Sequence, residues 1–410
     1  MRRVGLSIVS AMVLAAGVSV GANAGMLEDV ITNPKLNLQI RPRYEHANVK
    51  ENGTDSADAF TVRTALGMQA GLFGIDGLSA ELQMIDVSNF GWLDDYNDLA
   101  GDPEPYDVVA DPTQTRVTQA YVAYTFNGLT AIGGRKRVVL DNARFIGDVG
   151  WRQMPQTYDL MALAYNGIEN LSLLGAYVTQ VNTIKKDGSF DTGSVLLHGA
   201  YQYAPALNIV LYDYMIEDFA DHMGIRFTGK VDYSDMKFSY EAEYAKQNDP
   251  SITDDVDDLD QDADYYKLGL DMNYMGFIVG AAYELLGEKG SGANAFTTPL
   301  ATLHAHNGWA DVFLSTPDDG LEDMSFKLGY NAGDLGKLIA IYHIFESDAG
   351  GTDYGDEIDL AYKYQVDKNL GLLIKYAQYN TDADVPSDPL WTHDVNKFWI
   401  QLDYKYSASF

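Results

Sequence analysis

The stretch "FWIQLDYKYSASF" at Phe398–Phe410 separates by twos into Phe398, Ile400, Leu402, Tyr404, Tyr406, Ala408 and Phe410 against Trp399, Gln401, Asp403 and Lys405, with Lys397 preceding it in the polar set. Successive strand residues point to opposite faces, so this is a strand with one apolar face and one mostly polar face. What the apolar face touches decides the fold.

The same alternation recurs along the chain between eight very short connections: "FGIDG" at 73–77, "FNGL" at 126–129, "YNGIEN" at 165–170, "YAPAL" at 203–207, "YSD" at 233–235, "YMGF" at 274–277, "NAGDLG" at 331–336 and "VDKNL" at 366–370. Each carries the Asn, Gly, Asp or Pro that tight turns need. Eight hairpins, a segment near 35–46 and the closing segment make eighteen strands. Between the hairpins lie mostly long, polar connections at 47–58, 91–114, 139–156, 183–193, 217–220, 248–263, 288–320, 348–354 and 381–395. "WADVFLST" at 309–316 has strand character but no hairpin partner, and belongs inside the long loop. A soluble β-sandwich also has many strands, but its strands are shorter and lack this asymmetry of connections. The expected fold is all-β: a transmembrane antiparallel barrel of about 18 strands, with short periplasmic turns and long acidic surface loops.

Arg2 and Arg3, the apolar run Val4–Val20 and Ala22-Asn23-Ala24 read as a signal peptide over residues 1–24, leaving 25–410 as a single barrel domain. Removing those two arginines moves the formal charge from −31 to −33. Such acidity argues against nucleic-acid binding. Cysteine is absent, which excludes disulfides and a cysteine nucleophile. Beyond the leader there is no apolar run long enough for a spanning helix, but barrel strands need only alternation. The 28 Tyr and 38 Gly suit interfacial girdles and turns.

An Arg or Lys facing lipid at the bilayer midplane costs about 2–4 kcal/mol, so the charged face of each strand faces the lumen. A barrel this wide cannot be filled by wall side chains and must hold water or inward-folded loops. Eight of the nine arginines after the leader lie between Arg41 and Arg152. By face phase Arg41 and Arg43 on the first strand, Arg63 on the second, and Arg135 with Arg137 on the fifth point inward. Clustered guanidiniums in a narrow passage attract carboxylates and phosphates. The plainer alternative is that they pair with inward acids such as Glu45, Glu81 and Asp141. Arg116 falls on the apolar-looking face, at the rim.

The stretch "GGRKRVVLDNARFIGDVGWRQMPQTYDLMALAY" at 133–165, with "LQIRPRYE" at 38–45, "FTVRTALGMQAGLFG" at 60–74, "TQAYVAY" at 118–124 and "NGWADVFLSTPDDGLED" at 307–323, resembles the alginate-export family and the substrate-selective porins of pseudomonads. The resemblance implies an eighteen-stranded barrel, monomeric rather than trimeric, with a basic lumen. It makes Arg135, Arg137, Arg144, Arg152 and Gln153 the constriction candidates, with Asp141 and Asn142 positioning the loop. The strong acidity departs from an alginate exporter, so passive diffusion of small anionic solutes is the leading expectation and export of an anionic polysaccharide the alternative. Tyr404, Tyr406 and Phe410 resemble the C-terminal signal read by the barrel-assembly machinery of Gram-negative cells. The implied surroundings are outer-membrane lipid and lipopolysaccharide.

Two acidic runs, "GWLDDYNDLAGDPEPYDVVADPTQ" and "NDPSITDDVDDLDQDAD", carry no base; the second lacks the Gly at position six and the Glu at position twelve of a calcium loop, and a solvated surface is the expected reading. "HAH" at 304–306 offers two metal ligands without a third. No nucleophile elbow, zinc helix or phosphate loop is present, so neither a cofactor nor a catalytic site is expected. Two other classes remain open: a lipase-like barrel, which needs a Ser/His pair on its wall, and a surface adhesion barrel with a plugged lumen.

Overall fold

The computed structural model describes residues 30–101, 104–253, 260–382 and 389–410, so the proposed leader over 1–24 and the centre of the second acidic run lie outside the described residues. Eighteen wall strands follow one another in chain order: β1 (Ile31–Val49), β2 (Ala57–Leu72), β3 (Leu78–Ser88), β4 (Gln114–Phe126), β5 (Leu129–Lys136), β6 (Thr157–Ile168), β7 (Leu171–Asn182), β8 (Val195–Ala204) and β9 (Leu207–Ile216) form the first half. The second half comprises β10 (Ala220–Tyr233), β11 (Met236–Asn248), β12 (Asp262–Tyr274), β13 (Phe277–Leu286), β14 (Leu321–Asn331), β15 (Lys337–Glu346), β16 (Asp353–Gln365), β17 (Leu370–Thr381) and β18 (Val395–Ser409). Two short strands, Asp94–Asp95 and Ser189–Asp191, decorate the loops.

Each wall strand pairs antiparallel with the next, and β18 returns to β1 in register from Lys35↔Ser409 to Val49↔Val395. The closure leaves no open edge, which a sheet in hydrocarbon requires. The eight short connections are the expected hairpins. At Asn127-Gly128 both residues have positive φ, 49° and 81°, the twist that joins two strands with least splay. A Cβ at Gly128 would lie 2.4 Å from Gly167 Cα, so the turn admits no larger residue. "WADVFLST" forms no strand and lies inside the loop.

The outer face carries Leu82, Val122, Met161, Leu163, Leu211, Met223, Leu268, Leu328 and Leu338, all exposed. Tyr124, Phe126, Tyr203, Tyr233, Tyr274 and Phe277 stand near the short turns, and Tyr177, Tyr244, Tyr266 and Tyr342 near the long loops, also exposed. An apolar band between two aromatic girdles is the surface of a barrel that crosses a membrane.

The packed core is inside the barrel. Phe145 and Ile146 from loop 137–156, and Phe296, Leu300, Val312 and Phe313 from loop 287–320, are buried against Tyr158, Leu160, Val178, Tyr212, Tyr265, Leu286, Phe345 and Tyr379 of the wall. Ring centroids of Phe145 lie 5.1 Å from Tyr212 and 5.4 Å from Tyr265; Phe313 lies 4.7 Å from Phe345. Fully burying one such ring contributes about 1.5–3 kcal/mol, so these loops are anchored rather than dangling. The wall opposite them is apolar on its inner face as well, which is why alternation is weak in β6–β9.

Candidate functional site

The site forms where these loops meet the seam of β1, β2, β17 and β18. Odd-numbered residues of β1 and β2 face inward, so Arg41 stands opposite Arg63, Arg43 opposite Thr61, and Glu45 opposite Ala59. Across the closing seam Arg43 is opposite Gln401 and Glu45 opposite Trp399, which in turn faces Lys375 of β17.

Loop 137–156 settles onto this row. Arg41 Nη1 donates to Gly150 O at 3.1 Å and Arg43 Nη2 to Trp151 O at 2.5 Å. Arg43 Nε donates to Gln401 Oε1 at 3.0 Å, and its guanidinium lies 4.1 Å from the Trp151 ring centroid. Arg152 Nη1 donates to both Glu45 oxygens at 3.0 and 3.1 Å, and its Nη2 to Asp311 Oδ2 at 3.2 Å. Gln153 donates from its amide nitrogen Nε2 to Thr61 Oγ1 at 3.0 Å and to Arg41 O at 3.2 Å, while its backbone N–H donates to Asp111 Oδ1 at 2.7 Å. Met154 packs on Ala65, Ile85 and Val87.

Loop 287–320 closes from the other side. Trp151 stacks on His304 at 4.3 Å and 8°, and His304 Nδ1 lies 2.6 Å from Asp311 Oδ1. Burial lowers His304 to about 3, with Lys375 and Arg152 adding to it against Asp311. The imidazole is therefore neutral: Nδ1–H donates to Asp311, and Nε2 accepts from Lys375 Nζ at 2.7 Å. Burial, the largest influence, pushes the Asp311 carboxyl up, but His304, Lys397 and Arg152 together hold it well below the usual carboxylate range. Asp111 is raised by burial despite Arg152 and Arg43. The Lys375 ammonium sits 3.7 Å from the Trp309 ring centroid, 4.2 Å from Trp151 and 5.2 Å from Trp399, a three-sided aromatic cage. Trp309 N–H donates to Asp359 Oδ2 at 3.2 Å and Ala310 N–H to Glu357 Oε1 at 2.8 Å, pinning the loop to β16.

Arg144 is buried elsewhere, with Nε 2.9 Å from Glu284 Oε1 and Nη2 donating to Asn307 Oδ1 at 2.9 Å. Arg137 pairs with Asp148. Asn142 Oδ1 accepts from Arg144 N at 3.2 Å, and Asp141 lies 3.1 Å from His198 of β8. Both sides of this level open into cavities. One is lined by Lys337, Lys363, Gln365, Leu373, Gln401 and Asp403 toward the short turns; the other by Arg144, Asn294, Thr298, Leu303, Phe313 and Thr316 toward the long loops.

Two expected orientations are corrected. Arg135 points outward: it is paired with Ala120 and Asp159 in the ladder, while the neighbouring Gly134 and Lys136 oppose the inward Tyr121 and Tyr158. Its Nε and Nη2 donate to Asp159 at 2.7 and 2.8 Å on the outer face, so it is not a constriction residue. Arg116 goes the other way. The register shift after Gln83 spends one extra residue, Thr118, and turns Arg116 inward opposite Ile85, where it donates to Pro155 O and Thr183 O. Sequence reasoning passed over Lys375, Lys397, Lys337 and Lys363. Lys363 and Lys397 already stood in the polar alternation sets of their strands, which was the available signal.

Tyr404 and Tyr406 lie opposite Ile40 and Leu38 on the outer face, and the Phe410 N–H donates to Pro34 O at 3.0 Å.

Neither a protein-family model nor a curated protein sequence matches the chain. Solved structures do. The chain is similar to OpdO of Pseudomonas aeruginosa (TM-score 0.70, 13% identity, covering 93% of this chain and 99% of that one). It is similar to OccAB3 of Acinetobacter baumannii (0.72, 16%, 92% and 99%) and to Pseudomonas aeruginosa OpdK, solved with vanillate (0.70, 12%, 92% and 99%). At such identities the likeness is one of fold, and the chain is a closed eighteen-stranded barrel of the architecture those three proteins share.

Proposed function

We propose that the protein is a narrow outer-membrane channel through which small anionic solutes, carboxylates or acidic sugars, diffuse along an arginine-lined lumen. The observation that carries this reading is the convergence of Arg41, Arg43, Arg63, Arg152, Lys375 and Lys397 at one level, against Glu45, Asp111 and Asp311 at their centre. Arg137, Arg144 and Gln153 hold the loops that narrow the passage there. Guanidiniums beside low-dielectric walls offer an entering carboxylate forked hydrogen bonds in place of water. The likeness to a barrel solved with vanillate supports an acid carried on a planar ring as the kind of solute. Passage of a sugar polymer is disfavoured by the side-chain packing between the two loops and the seam. The test is the reversal potential of purified protein in a planar bilayer under a salt gradient, repeated with Arg41→Gln and Arg43→Gln. Anion preference that falls in the variants supports the reading; cation preference in the parent defeats it.

A further inference from the structure

We propose that a small inorganic anion of the halide class resides between Arg41 and Arg63, beside Gly150, as a fixed counter-ion of the barrel wall. The two arginines are ladder partners on the inner face of β1 and β2. Ladder partners hold their Cβ atoms roughly 4.5–5.5 Å apart, so both side chains leave the wall side by side.

Arg63 is 1% exposed, yet its Nε and Nη1 are buried without a hydrogen bond, and so is Arg41 Nε. Neither guanidinium has a carboxylate within ion-pair distance among the described residues. The charges acting on Arg63 are Arg41 and Arg137 of like sign and Asp403 and Asp148 of opposite sign. Both acids are already engaged. Asp148 accepts from Arg137 Nε at 2.8 Å, while Asp403 accepts from Gln39 Nε2 at 2.7 Å and lies 3.2 Å from Lys405 Nζ. Asp111, which also acts on Arg41, is held by Arg43 and Arg152. A buried cation facing a half-buried one, with idle donors and no uncommitted carboxylate, is unfavourable unless something negative joins them. With Arg63 only 1% exposed, the place does not admit a large organic acid, which leaves a monatomic anion as the fitting occupant. One ion satisfies donors from both strands and fastens loop 137–156 through Arg41 to Gly150 O.

This site needs no solute to pass, so its test is separate from that of transport. Crystals of the detergent-purified full chain grown in sodium bromide are measured at the bromine absorption edge. The expected result is an anomalous peak touching both guanidiniums, lost in Arg63→Met. In parallel, the thermal midpoint of the parent is expected to be higher in chloride than in gluconate at equal ionic strength, with that difference lost in Arg63→Met and in the more conservative Arg63→Lys. No peak, a bridging water alone, a peak that survives in Arg63→Met, or an adventitious ion only, shown by a midpoint indifferent to chloride, overturns the proposal. A bromide peak with a cation-selective pore would leave the site standing and remove the transport reading instead.

Discussion

Arg63 and Arg135 carry the same charge into opposite surroundings, and the difference is one of phase. Arg63 lies in a strand whose outward set, Phe60, Val62, Leu66 and Met68, is unmistakably apolar. Arg135 lies in "LTAIGGRK", where each alternate set holds one glycine and one base, so hydrophobicity cannot choose between the faces. Its bidentate pair with Asp159 lets it remain outside. Replacing Arg63 by Gln is therefore expected to move the reversal potential toward the non-selective value, whereas Arg135→Gln leaves it unchanged. Arg152 holds Glu45 and Asp311 in place from within. Arg152→Met strands those carboxylates and is expected to cost about 3–5 kcal/mol, read from urea-induced unfolding in detergent.

At the scale of elements, hairpins and loops were legible because Asn, Gly, Asp and Pro mark turns locally, and because period-two alternation marks strands without any partner. What the loops do inside the barrel was not legible. The Trp151–His304 stack joins residues 153 positions apart, and nothing in either segment announces the other. That stack is the clasp between the two inward loops. Trp151→Ala removes it together with one wall of the Lys375 cage; because Trp151 is half-buried, the loss is expected below the about 3–5 kcal/mol of a fully buried Trp, and single-channel conductance is expected to rise. Acid should loosen the same clasp. His304 stays neutral in the folded state down to about pH 3, whereas the unfolded loop takes up a proton near 6.5. The unfolded form thus binds more protons between those values, and the clasp weakens as pH falls through that window. Asp311, held low, acts in the same direction below its unfolded value, while Asp111, raised by burial, opposes it. Conductance recorded from pH 7 to pH 4 is expected to rise in the parent and to rise less in His304→Gln, which keeps a neutral side chain at both ends of the range.

The whole molecule is an apolar band outside, a closed ladder, and a charged seam that two loops narrow from within. Arg41, Arg43, Arg63, Lys375 and Lys397 stand together on the seam strands, whereas the net charge of the whole chain is −31, so composition alone does not reveal this local cluster. The measurement that bears most directly on the channel account is the reversal potential of the parent protein across a planar bilayer in a tenfold gradient of potassium chloride. Discrete conducting steps are expected, with a potential of the sign set by chloride permeation. A potential of the opposite sign, or a membrane that stays silent with folded protein inserted, contradicts it.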